Sequence, residues 1–580
     1  MKPSKADTRA RQCLTGLAWG CFFFAASLTA MLVTTHVQLR RADPLESSLL
    51  QDLRADFAEK GGEETAERIR QLDWLARRAF FTSRRQLRTG SALLVMSVLL
   101  GAGCWTAAGS LDRPDVAMPT AKNAPDHRWR ANRTARGLLV GAGAAAALCL
   151  GMWAAYSTLP EWMTPAAAGK ASGGLSGSPP GAPGTVMSTP PGPAVDQDQA
   201  WPAFRGWGGL GRAAVAGIPL TWDGGTDVNL LWKIALDLPG FSSPVVWEKR
   251  VFLSSGNAER RVVTCHSLET GEILWEHAVT DIDLSPEKPP EVTDDTGYAA
   301  PTPAVSADGV CAIFANGDLV CLTLEGDRRW AQNVGVPENH YGHSSSLLID
   351  AGVLFVQYDH NAAASLMAYD VKTGELLWRV ARDTISWGSP VMITAPDGKH
   401  HVVLVNESTV RGYSPGDGGL LWEEKCLGGE VAPSAAYEGG IVFVANEYAQ
   451  AAGVRVDSGG ASEILWTWDE ALPDVASPVA ANGKVWLATS AGEVICLQGK
   501  TGRVVYRKEF DHGFYASPIV NGDRIYLTDL TGETIVFGTG DTFETLGGGR
   551  LGEAAFATPA LVRNRLIIRG AKHLFCFGKQ

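Results

Sequence analysis

The chain has 580 residues, 45% of them hydrophobic, and a formal charge of −11. That much apolar material exceeds one ordinary core, so more than one folding unit is expected. Lys and Arg do not cluster in the C-terminal two-thirds, which excludes a nucleic-acid surface there, because phosphate binding needs grouped cations.

Three N-terminal segments, roughly 14–37, 90–110 and 137–157, are uncharged and apolar over about 20 residues each, the length that crosses a bilayer. Counting cations near the span ends puts ten on the side of the N-terminus and eight on the other. An inside N-terminus follows, with the charge drop across the first span agreeing. No small-residue cleavage site follows that span, so it reads as an uncleaved anchor in a cytoplasmic or inner membrane. Between the first two spans, ETAERIRQLDWLARRAFF repeats apolar residues at Ile69, Leu72, Leu75 and Ala79, the period of an amphipathic helix in a solvated hairpin. Residues 1–157 are thus expected to form a three-helix anchor. The stretch 158–200, with GGLSGSPPGAPGTVMSTPPGPA at its centre, cannot bury enough apolar surface to order itself and reads as a disordered tether.

From Trp201 onward the sequence repeats. A Ser/Thr-Pro signature leading into an apolar strand recurs at Pro244, Pro303, Ser346, Pro390, Ser434, Pro478, Pro518 and Pro559, with Ser in place of Pro twice. The spacings are 59, 43, 44, 44, 44, 40 and 41. Each unit holds four short strands, the third and fourth joined by a turn such as LETGEILW or VKTGELLW, which degenerates to GDTFETL in the seventh unit. Gly supplies the positive φ of the turn, and the Trp is a plate to pack on the neighbouring unit. Four strands in about 40 residues is a propeller blade. The eighth unit runs out before its fourth strand, while LLWKIAL, Leu230 to Leu236, precedes the first unit as an orphan strand. Joining them closes an all-β eight-bladed propeller over 201–580 and leaves no open edge. The long first spacing marks an insertion, about Thr280 to Gly297, expected as a loop on one face.

Cys265, Cys321, Cys496 and Cys576 share one place in the third strand, taken by Ala368 and Gly412 in other units. A position held by Cys, Ala and Gly is a small packing slot, and equivalent slots in adjacent blades lie too far apart for a disulfide.

In a propeller the first strand of each blade lines the central channel. Residues three before the signature Pro, or its stand-in, should therefore ring one mouth: Phe241, Ala300, His343, Trp387, Val431, Val475, Tyr515 and Phe556. Tyr298, His340 and Tyr341 lie just upstream. Aromatic walls with a few polar groups suit a ligand or a peptide; the other reading is aromatics that simply plug the channel. His340 and His343 in ENHYGHSSS are three apart, a spacing open to a metal if further ligands join. Asp359 with His360, Asn406 with Glu407, and Asn446 with Glu447 end the second strands of three consecutive blades. They are expected near the funnel, as oxygen ligands of the kind calcium takes or as a hydrogen-bonded network.

The TG-x-x-x-W turns at Thr270 to Trp275 and Thr373 to Trp378, with WPAFRG at Trp201 to Gly206, give residues 201–580 a resemblance to the PQQ-like, quinoprotein-type propellers. That superfamily includes pyrroloquinoline quinone dehydrogenases and an outer-membrane assembly lipoprotein with the same fold and no cofactor. The resemblance implies a membrane-anchored, non-catalytic propeller facing the periplasm or cell exterior, its mouth binding a protein partner or a small ligand. The alternative it implies is a membrane-bound quinoprotein oxidoreductase using PQQ and calcium. Alcohol-oxidising members usually carry adjacent cysteines; this chain has no Cys-Cys pair and no matching calcium and base set, so no catalytic residue is assigned. A sensor signalling through the spans is a third reading, for which no output domain is visible.

Overall fold

The computed structural model describes residues 14–29, 31, 94, 97–98, 100–105 and 196–579, except 340, 362 and 448. Two compact units divide the chain, Met1–Pro180 and Gly181–Gln580. In the first, residues 14–29 and 100–105 are helical, and Trp19 meets Trp105 edge-on with ring centroids 6.0 Å apart. Leu17, Trp19, Phe23, Phe24 and Leu100 are exposed. Among the described residues no helix is long and apolar enough to cross a membrane. The third expected span, the helix about Ile69 to Ala79 and the tether up to residue 195 lie outside the described residues. The tether was expected to run to residue 200, yet Ala200 is buried and pairs with Trp247, so its last residues belong to the first sheet.

In the second unit the described residues form eight sheets built on four antiparallel strands, successive in seven of them, and two sheets are extended by short N-terminal strands. Blade 1 comprises Val245–Trp247, Arg250–Gly256, Arg261–Ser267 and Ile273–Ala278. The first strands of blades 2 to 7 are Ala304–Ser306, Leu348–Asp350, Val391–Thr394, Ala436–Glu438, Val479–Ala481 and Ile519–Asn521. Blade 8 joins the last three strands, Ala560–Val562, Arg565–Arg569 and His573–Gly578, to Leu230–Ala235, with Cys576 opposite Trp232. The orphan strand thus supplies the fourth strand of the last sheet.

A second closure runs along the axis. The backbone N–H of Ser243 donates to the hydroxyl of Thr302, Thr302 to Ser346, Ser346 to Ser389, and Ser389 to Ser434. Ser434 donates to Ser477, Ser477 to Ser517, Ser517 to Thr558, and Thr558 back to Ser243. All eight bonds lie between 2.8 and 3.1 Å. The recurring Ser/Thr of the signature is therefore explained by its hydroxyl, which pairs a buried backbone donor of the preceding blade. Aligning the repeats on this hydroxyl shifts blades 3 and 5 by one residue from the Pro-based alignment, because Ser346 and Ser434 stand where Thr302 and Ser389 stand, before the Pro position.

The outer rim is held by tryptophans. The indole N–H of Trp232, Trp275, Trp330, Trp378 and Trp466 donates to a backbone carbonyl in the next blade, at Leu268, Leu324, Val371, Pro415 and Gly499, over 2.7 to 3.1 Å. The turn glycine of that next blade lies under the ring: a Cβ on Gly374 would come within 2.6 Å of Trp330. Thr-Gly and Trp recur together because one seats the other. On the opposite side the small slot is confirmed, since Cys265, Ala368, Gly412 and Gly453 face Trp275, Trp378, Trp422 and Trp466 across a bulge. Blade 7 has no aromatic of its own here. Trp222, from the short strand Thr221–Asp223 added in parallel to Thr545–Arg550, fills the place, with its ring 5.8 Å from Phe577 of blade 8.

WPAFRG closes one end of the channel. Trp201 pairs with Val246 of blade 1, and Pro202 accepts from Val305 of blade 2. The fully buried Arg205 donates to the carbonyls of Ala435 and Pro478, in blades 5 and 6. Arg212–Ala213 then adds to the first strand of blade 7. Burial pushes the Arg205 guanidinium down to about 9.

The cysteine expectation needs one correction. Cys321 does not merely fill the slot, because Cys311, directly opposite it on the neighbouring strand of blade 2, joins it in a disulfide. The sign was a pair of cysteines placed symmetrically about the hairpin turn at Asn316-Gly317. Buried Cys265, Cys496 and Cys576 are free, each pushed up to about 12 by burial, and so are inert packing groups.

Candidate functional site

Two residues before each ring hydroxyl the chain comes up to the mouth, at Phe241, Ala300, Ser344, Trp387, Ala432, Val475, Tyr515 and Phe556. Six of these are half-buried, Val475 is exposed and Trp387 is 7% exposed, whereas each following residue is buried. This alternation separates residues that face the mouth from those that enter the blades. The one-residue shift in blades 3 and 5 moves the site accordingly: Ser344 and Ala432 belong to the mouth, and His343 and Val431 do not.

His343 turns into blade 3, 2% exposed, with its ring 5.0 Å from that of Tyr358. His360 lies on the same tyrosine at 5.6 Å. Burial, reinforced by His360, lowers the His343 imidazole to about 3, so it is neutral at pH 7. His340, its proposed metal-binding companion, lies outside the described residues. A pH effect follows from His343. The unfolded chain takes up a proton below about 6.5 and the folded chain does not, so stability falls as pH drops from about 6.5 toward 3. His343→Phe is expected to flatten the acid limb of a stability-against-pH curve by up to about 1.4 kcal/mol per pH unit. An unaltered slope in urea unfolding across that range would show that the imidazole is solvated.

Asp359 is withdrawn from the mouth as well. Its carboxylate accepts from Arg382 Nε at 2.9 Å and Nη2 at 3.1 Å, and from Gln357 at 3.0 Å, and both side chains of the ion pair are fully buried. Arg382 extends to the Val405 carbonyl and the Tyr413 hydroxyl, tying blade 3 to blade 4. Asn406 Oδ1 accepts from the N–H groups of Ser408 and Thr409, shaping its own turn. Asn446 donates to the Gly428 carbonyl. Glu407 and Glu447 are half-buried at their turns. The carboxamides and carboxylate expected near a cation are therefore engaged within the blades. Among the described residues no three His, Cys, Asp or Glu side chains stand close enough to hold a metal ion.

What the mouth does bring together is aromatic. Phe241 and Phe556 meet edge-on at 5.6 Å, and Tyr515 lies 6.3 Å from Phe556. Across the ring, Tyr341 meets Trp387 edge-on at 5.3 Å, its hydroxyl donates to Glu430 at 3.0 Å, and Trp387 Nε1 donates to Asn339 at 3.0 Å. The insertion about 280–297 is a loop, as expected, and it reaches over this second group. Thr293 donates to the Tyr341 carbonyl from both N–H and hydroxyl, Tyr298 donates back to Pro290, and Ser285 is held by buried Asp318. Asn339 and Glu430 were not singled out in the sequence: Asn339 lies within ENHYGHSSS, read there for its histidines, and nothing in its own repeat distinguishes Glu430.

A family profile described as outer membrane protein assembly factor BamB matches residues 224–342, 259–405 and 460–543. The protein of that name from Moranella endobia (strain PCIT) is 26% identical over 234 residues, covering 36% of this chain and 56% of that relative. The chain thus spans little more than half the length of the curated relative it matches. Similar solved structures include BamB from Moraxella catarrhalis, with 13% identity, a TM-score of 0.45, and coverage of 60% of this chain and 97% of that one. Quinohemoprotein alcohol dehydrogenase ADHIIG from Pseudomonas putida HK5 has 11% identity, a TM-score of 0.49, and coverage of 66% and 80%. The profile matches and the succession of four-stranded sheets support a PQQ-like repeat propeller.

Proposed function

We propose that this chain is a non-catalytic scaffold that docks a protein partner at the mouth of an eight-bladed propeller, held at a membrane by its N-terminal segments. The observation that carries the reading is the mouth itself. One end of the channel is stoppered by 200–213, and the other presents half-exposed aromatics on a rigid hydrogen-bonded ring, a combination suited to recognition. The match to an assembly factor supports a protein as the partner. Large apolar side chains exposed on helix 14–29 support membrane attachment. The Cys311–Cys321 disulfide supports an oxidising compartment, the periplasm or cell exterior, for the propeller.

A photo-crosslinking amino acid at position 515, in the full chain in its native membrane, is expected to capture one defined protein. The same group at Lys500, on an exposed third-to-fourth turn, should capture none. No adduct from 515, or equal adducts from both positions, would remove the mouth as the docking site. Saturable binding of PQQ with calcium, followed by absorbance, would replace this reading with the quinoprotein oxidoreductase.

A further inference from the structure

Charge on the loops that lead into the first strands is one-sided. The insertion carries Asp281, Asp283, Glu287, Glu291, Asp294 and Asp295 against Lys288 alone. None of the other seven such loops contains Lys or Arg, and each contains at least one Asp or Glu, as Asp237, Glu338, Asp383, Glu430, Asp511 and Glu553 show. The second-to-third turns at the same end add Arg260 and Lys572, and the turns at the opposite end mix signs, with Lys249, Lys372, Lys500 and Arg563 among them.

These acidic loops form one continuous surface with the aromatics. Thr293 of the insertion bonds to Tyr341, Tyr341 to Glu430, and Phe241 and Ser242 to Ala299 through their N–H groups. Asp281, Asp283, Glu287, Glu291 and Asp294 are exposed, so their charge faces solvent at the mouth rather than being spent in the blades. Asp383 is paired with Arg411 and Glu553 with His573, and Arg260 and Lys572 stand on second-to-third turns at this end, so the net negative charge is concentrated in the insertion. An acidic patch beside an apolar centre steers a partner of the opposite sign and disfavours partners of its own.

We infer that the partner segment received by the mouth is cationic: an extended stretch of polypeptide that alternates Lys or Arg with apolar residues. The cations lie against the insertion and the surrounding carboxylates, and the apolar residues against Phe241, Tyr515 and Phe556. Arg is favoured over Lys, because its planar guanidinium both forks onto carboxylates and stacks on aromatic rings. This inference rests on the docking reading above and adds the chemistry of what docks.

The test uses the full chain in detergent and two labelled twelve-residue peptides, one alternating Arg and Leu, the other Glu and Leu, followed by fluorescence anisotropy. Only the Arg peptide is expected to bind. Its affinity should fall roughly tenfold between 50 and 200 mM salt, as exposed charges are screened. The triple variant E287Q/E291Q/D294N, all at exposed positions, should lose about tenfold in affinity with an unaltered melting temperature, and Phe556→Ala should weaken binding without changing the salt slope. Equal binding of both peptides, or an Arg-peptide affinity indifferent to the triple variant, overturns the inference. Failure of the Arg peptide while position 515 still captures a protein overturns the cationic chemistry and leaves the docking reading intact; failure of both overturns both. Full competition by millimolar calcium with no side-chain dependence would reassign the surface to cation binding and likewise overturn it.

Discussion

Asp359→Ala is expected to lower the unfolding free energy of the propeller by about 4 kcal/mol, among the largest effects of any single substitution in it. The carboxylate grips Arg382 through two guanidinium nitrogens, and neither side chain reaches solvent. Removing it leaves a buried cation held by the Val405 carbonyl and the Tyr413 hydroxyl. The loss is that of stranding a charge, not the net contribution of the pair. The double variant D359L/R382M should therefore recover most of it, since apolar residues of similar size often replace buried ion pairs without penalty. Urea unfolding followed by tryptophan fluorescence measures both. A double variant as unstable as the single one would mean that the pair itself holds blades 3 and 4 together.

Trp378→Ala should cost about 3 kcal/mol, because it removes apolar packing between blades together with the hydrogen bond to the Pro415 carbonyl. Its partner gives a sharper measurement. A Cβ on Gly418 would stand 2.5 Å from Val380 and 2.7 Å from Trp378, at φ +71°. Gly418→Ala should thus be costly in the native background and cheaper once Trp378 is Ala, with the contact on Val380 and a backbone term of about 1 kcal/mol remaining. If Gly418→Ala costs the same in both backgrounds, the indole does not seat on that turn and the docking geometry is wrong.

The repeat, its closing strand and the Trp plates were all legible in the sequence, because each depends on local pattern. Period-two strands, a Gly where φ is positive and a large ring at a fixed offset recur whatever lies around them. The register of the loops before the first strands was legible where Pro marked it, at Phe241, Ala300, Trp387, Val475, Tyr515 and Phe556. In blades 3 and 5, where Pro is absent, the alignment slipped by one residue. In an extended chain one residue exchanges the two faces, which is why His343 went into the blade and Ser344 to the mouth. Asp359 shows a different limit. Its position at a strand end suggested exposure toward the funnel, whereas Arg382, at the end of the fourth strand of the same blade, lies against it and shuts it off from solvent.

By itself the sequence determined a repeated four-strand unit, a ring closed by Leu230–Ala235 and an acidic chain with apolar N-terminal segments. Tertiary structure alone decided which residues share the mouth, that the Ser/Thr hydroxyls form a closed ring, that Trp222 completes blade 7 and that Arg205 stoppers the channel. The division has one physical cause: strand and turn patterns arise between near neighbours, whereas these pairings join residues brought together only when the ring closes, up to more than 300 positions apart.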